Sequence, residues 1–95
     1  MSLTLCVLLW AHEGAECALI EYEDRVLPLV SSHGGRVLRR ARSEGTGRNP
    51  LEIQLLEFPS QAALDSYAND ERRTSLAADR DRVIARAEVF PVNLV

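Results

Sequence analysis

Leu51-Glu52-Ile53-Gln54-Leu55-Leu56-Glu57-Phe58-Pro59-Ser60-Gln61-Ala62-Ala63-Leu64-Asp65-Ser66-Tyr67 holds a strand, a sharp exit and a helix start in seventeen residues. Leu51, Ile53 and Leu55 alternate with Glu52 and Gln54, the two-residue period of a strand. Leu56 and Phe58 then fall on the Glu52/Gln54 side, so that face turns apolar towards the strand's end and is expected to meet something dry there. Pro59 removes a ladder donor and biases Phe58 to an extended conformation, which stops the strand. Ser60 offers an N-cap hydroxyl, and Gln61, Ala62, Ala63 and Leu64 are good helix formers. A strand followed directly by a capped helix lays one element across another.

The 95 residues are most simply one domain, 1–95. A monomer of this size buries only about 60 to 65% of its unfolded surface, so its core is thin unless a partner adds to it. Aliphatic content excludes disorder, and the few aromatics make no stacking surface. A formal charge of −3 argues against nucleic-acid binding, which needs a net basic face. All eleven basic residues are arginine, which reads mainly as the codon bias of a GC-rich, bacterial genome. Cys6 and Cys17 are too few for a disulfide scaffold and read as two buried free thiols in a reducing compartment. Leu3 to Ala11 lacks a basic leader and a clear cleavage site and is too short to cross a bilayer, so a cytoplasmic location without membrane contact is expected.

Leu3 to Trp10 is apolar on both parities, as in a central strand covered on both faces. From Ala15 to Val30, the residues Ala15, Leu19, Tyr22, Val26 and Leu29 form one helical stripe, while Glu21, Glu23 and Asp24 are expected to keep the far face wet. Pro28 predicts a kink or break, with a short last turn, and Gly34-Gly35 ends the element. Gly35 to Ser43 reads as a polar edge strand guarded by arginines, and residues 43–50 as an exposed, mobile hairpin loop. After the helix that begins near Ser60, Asn69-Asp70 interrupts. Asp70 caps a further helical segment through Val83, whose alternating charges read as a solvated face. Ala85 to Val92 closes the chain as an edge strand that tolerates Pro91.

The order β-α-β-β-α-β predicts an α+β, ferredoxin-like domain: a four-stranded antiparallel sheet with both helices on one face. Two helices cover only one sheet face. The other apolar face therefore predicts a homodimer through the sheet.

Val7-Leu8-Leu9-Trp10-Ala11, Tyr22-Glu23-Asp24-Arg25-Val26, Gly34-Gly35-Arg36-Val37-Leu38 and above all Leu56-Glu57-Phe58-Pro59-Ser60, followed by Ala62-Ala63-Leu64 and Tyr67, resemble the family catalogued as domain of unknown function 1330. The resemblance covers nearly the whole chain, and the Glu-Phe-Pro-Ser strand exit is its most specific mark. It implies a dimeric α/β barrel, in which two ferredoxin-like protomers share a barrel. That superfamily includes cofactor-free monooxygenases, haem-degrading enzymes and regulatory ligand-binding domains, so the resemblance implies no one reaction.

No residue cluster has metal-ligand spacing, and no cofactor is expected. Three residues are catalytic candidates. His12, at the end of the first strand beside Trp10, could serve as a general base or metal ligand but has no second ligand near it. Glu57, near the apolar end of a central strand, would have a raised pKa there, or else pair with an arginine across the strands. Arg39 could bind a carboxylate or phenolate if it faces the pocket while Arg36 and Arg40 face out; edge protection is the alternative. His33 reads as a helix C-terminal residue helped by the dipole. Trp10, Phe58 and Tyr67 are expected to bound a cavity between sheet and helices. The chain then either binds a small apolar or aromatic metabolite there, or transforms one as a cofactor-free monooxygenase- or isomerase-like enzyme.

Overall fold

Residues 2–95 are described by a computed structural model. The first strand, β1 (Leu3–Ala11), leads through Gly14 into α1 (Glu16–Val26), which gives way at Pro28 to a 3₁₀ helix (Leu27–His33). This is the break that Pro28 predicts, with the proline at the start of the tighter helix, where a missing N–H is harmless. Gly34 ends it with φ 76°, its N–H turned back to the Ser31 carbonyl. Then follow β2 (Arg36–Arg42), β3 (Glu52–Phe58), α2 (Gln61–Ala68), α3 (Glu71–Thr74), α4 (Ala77–Val83) and β4 (Ile84–Pro91). Ser60 caps α2 by accepting from Ala63 N at 3.1 Å, and Asp70 caps α3 by accepting from Arg72 N at 2.9 Å.

The sheet order is β2-β3-β1-β4 and every pairing is antiparallel, so the fold is ferredoxin-like with β1 and β3 central. Register decides the faces. Leu3, Leu5, Val7 and Leu9 stand opposite Phe58, Leu56, Gln54 and Glu52, and this is the helix-covered face. Its core joins Leu5, Val7, Leu9, Leu56 and Phe58 to Leu19, Tyr22 and Val26 of α1 and Tyr67 of α2. Thr4, Cys6, Leu8 and Trp10 point the other way, beside Ile53, Leu55 and Phe90, and no helix crosses them.

Three expectations need correction. Glu23 is not on the wet side of α1: it is 6% exposed and faces the sheet, since it lies four residues after Leu19 and three before Val26. Cys17 is exposed and Cys6 half-buried, because each lies off the stripe or face that the helices bury. The β2–β3 register shifts between Val37 and Arg39, and the extra residue flips the following side chains. Arg40 and Arg42 therefore share the helix-covered side with Val37, while Arg39 falls on the open side with Arg36, so Arg39 and Arg40 exchange the sides expected of them and Arg36 faces out as expected.

Candidate functional site

The helix-covered face of β3 carries two buried polar residues where a sheet core calls for aliphatics: Glu52, fully buried, and Gln54. Two donors on one amide nitrogen explain how they are tolerated. Gln54 Nε2 donates to Glu23 Oε1 at 2.7 Å and to Glu52 Oε2 at 2.6 Å, so a single side chain bridges a carboxylate from the helix and one from the sheet. The pKa values of the two carboxyls are shifted in opposite directions. Burial would raise the pKa of Glu52, but hydrogen bonds from Arg40, Gln54 and Arg42 outweigh it and hold the group below its ordinary value. Arg40 grips it with Nε at 3.0 Å and its terminal nitrogen at 3.1 Å, and Arg42 Nε adds a third contact at 2.9 Å. Glu23 lacks any such clamp. Burial pushes its pKa up, the Gln54 hydrogen bond opposes that, and the neighbouring Glu52 charge adds to the rise.

Glu23 and Gln54 form the polar part of one wall of a cavity of about 310 Å³ between the sheet and the helices. Leu5, Val7, Leu9, Leu56 and Ile84 make most of the rest apolar. Tyr67 closes one side: burial raises its pKa against the nearby charge of Arg73, and its ring lies 5.5 Å from that of Phe58. Arg73 and Arg80, from α3 and α4, complete the lining, with Val89 of edge strand β4 at the rim. The Tyr22 hydroxyl, within electrostatic reach of Glu23 and Arg73, is buried without a hydrogen-bond partner among the described residues.

Of the residues named from sequence, Tyr67 lines this cavity and Phe58 supports it from beneath, fully buried. Trp10 is on the opposite sheet face, its Nε1 donating to the Arg48 carbonyl at 3.0 Å and its ring under the Arg86 guanidinium. It cannot share the cavity, because its parity in β1 is opposite to that of Leu9. His12 is exposed, with Nε2 3.1 Å from the Asp81 carbonyl. Glu57 is bound across the strands by Arg36, at 2.6 Å, on the open face. Arg39 is exposed and donates to the Leu38 carbonyl. None of these three reaches the cavity. His33, at the end of the 3₁₀ helix, meets Asp70 Oδ2 at 2.8 Å; Arg72, His33 and the α3 backbone together hold that carboxyl well below the usual carboxylate range. Sequence reasoning missed Glu23, Gln54, Arg73 and Arg80. The signal for the first was its place in the Leu19–Val26 stripe.

Among the described residues, no group of three or more His, Cys, Asp or Glu is placed to hold a metal ion, and no helix is long and apolar enough to cross a membrane.

Solved structures share this architecture. PA3566 from Pseudomonas aeruginosa superposes with a TM-score of 0.76 at 16% identity, covering 99% of this chain and 94% of that one. A NIPSNAP family protein with unknown function from Agrobacterium tumefaciens gives 0.76 at 20% identity, covering 96% and 86%. A dimeric protein of unknown function with a ferredoxin-like fold, from Bacteroides fragilis, gives 0.72 at 8% identity, covering 98% and 96%. No protein-family model and no curated protein matches the chain. At these identities the likeness is one of fold: the chain is an α+β protein of the ferredoxin-like class.

Proposed function

We propose that residues 1–95 form a single domain that binds a small apolar or aromatic metabolite in the cavity between sheet and helices. The observation that carries this is an apolar chamber of about 310 Å³ with one unclamped carboxyl, Glu23, in its wall. A purely structural core would be filled with side chains. Membership of the domain of unknown function 1330 family fits the motifs quoted above and belongs to the same proposal, as do a homodimer joined through the open sheet face and a cytoplasmic location. The ligand's contacts are Tyr67, Glu23 and the aliphatic walls; Phe58 backs the Tyr67 ring.

A second reading, a cofactor-free isomerase- or monooxygenase-like enzyme, draws on the state of Glu23. A carboxyl whose pKa burial has raised takes up a proton more readily than an ordinary one, and here it borders space for a substrate. His12, Glu57 and Arg39 give this reading no help, since each lies outside the chamber.

Native mass spectrometry of freshly purified protein tests binding. A retained small organic molecule is expected, and adding it back to stripped protein should raise the melting temperature. Protein that carries nothing, and whose melting point is unmoved by a panel of planar aromatic compounds, would count against the proposal.

A further inference from the structure

Four of the eleven arginines have no ion-pair partner among the described residues: Arg39, Arg48, Arg73 and Arg80. Arg39 and Arg48 are exposed, where water satisfies a guanidinium. Arg73 and Arg80 are half-buried, and both line the apolar chamber. Arg73 is the more constrained of the two. Its guanidinium lies over the Tyr67 ring, 5.0 Å from the centroid, and its Nε is shielded from solvent yet has no hydrogen-bond partner among the described residues. One terminal nitrogen makes only a long contact, 3.4 Å, to the Ala68 carbonyl.

A charged donor that has lost water without gaining an acceptor is costly, and this chain otherwise supplies its half-buried guanidinium at Arg40 with two carboxylates. The carboxylates that share the chamber wall make no ion pair with Arg73 among the described residues; Asp65 takes a hydrogen bond from Gln61, and Glu23 takes one from Gln54. A ligand bound in the chamber would give Arg73 an ion-pair partner. A carboxylate suits the planar fork of a guanidinium, whereas the aliphatic walls suit an apolar body rather than a phosphate and its water.

We propose that Arg73 and Arg80 form an anion-reading corner of the chamber, and that its ligand is a small, mainly apolar or aromatic carboxylate. This rests on the chamber being a binding site and adds the chemical class of what it binds. The carboxylate sits against Arg73 and Arg80, with the ring or hydrocarbon body directed over Leu5, Val7 and Leu56.

Calorimetric titration with 1-naphthoate and with its neutral counterpart 1-naphthamide tests this. The wild type is expected to bind the carboxylate at least about tenfold more tightly than the amide, the scale of one charge-assisted hydrogen bond. Arg73→Met and Arg80→Met should each reduce that preference, the carboxylate losing several-fold more affinity than the amide. Arg73→Lys, which keeps the charge and loses the fork, should fall between and guards against a variant that fails to fold. Equal binding of the two probes, unchanged in the variants, would overturn the anion corner and leave the binding chamber standing. Failure of both probes to bind the wild type would count against both.

Discussion

Glu23 shows how far one position can be misread from its chemistry alone. A glutamate between Tyr22 and Asp24 reads as solvent-facing, yet the helical period puts it on the buried stripe, and Gln54, thirty-one residues away, supplies the hydrogen bond that makes burial tolerable. Its titration is linked to stability. Because its folded pKa is raised, the folded state holds a proton that the unfolded state releases above about pH 4.3. The stability it contributes is complete below that pH and is lost as pH rises through the folded value. Glu23→Gln keeps an acceptor for Gln54 and removes the titration, so urea unfolding should find the variant gaining on wild type as pH is raised from about 4 to 8. Parallel curves would refute it. Glu52 has the opposite sign: its lowered pKa gives stability that is present at neutral pH and lost as pH falls below the ordinary carboxylate range.

Strand β2 carries the next lesson, since a single extra residue decides which arginines reach the interior. The shift after Val37 brings Arg40 and Arg42 onto Glu52 and sends Arg39 outwards. The turn feeding this strand is equally constrained. A Cβ at Gly35 would meet the Glu57 carbonyl oxygen and a Val30 methyl at 2.8 Å and the Phe58 ring at 2.9 Å. Gly35→Ala should therefore cost about 1–3 kcal/mol as overpacking, read as a lower urea midpoint at unchanged slope. An unaltered midpoint would mean that the contact relaxes freely.

Dimensions of 38 × 34 × 16 Å describe a slab two layers thick, one of helices and one of sheet. The uncovered side exposes Ile53 at 36% and Phe90 at 40%, with Leu8, Trp10 and Leu55 half-buried around them. A contiguous apolar face of this kind is the surface on which the proposed homodimer would form. Light scattering at micromolar concentration should give twice the mass of the chain, and Ile53→Glu combined with Leu55→Glu should give a monomer that keeps its ferredoxin-like fold. A wild-type monomer would contradict the covering argument.

Local chemistry was enough for the element order. Pro59 and Ser60 end β3 and start α2, Pro28 breaks α1, Asp70 caps α3, and alternation marks the strands; each effect acts over a few residues and can be read along the chain. The chamber could not be read that way. Glu23, Gln54 and Glu52 have to be brought together from a helix and a strand before their polarity makes sense, and Arg73 and Arg80 look like part of a solvated charge run until α3 and α4 fold over Tyr67. Even the quoted Leu51–Tyr67 stretch was open on this point. Its alternation fixed two faces, but which one met the helices was decided by pairing with β1, where Val7 stands opposite Gln54 and Leu9 opposite Glu52. A strand's period sets what lies side by side; only the packing of the sheet sets which side is inside.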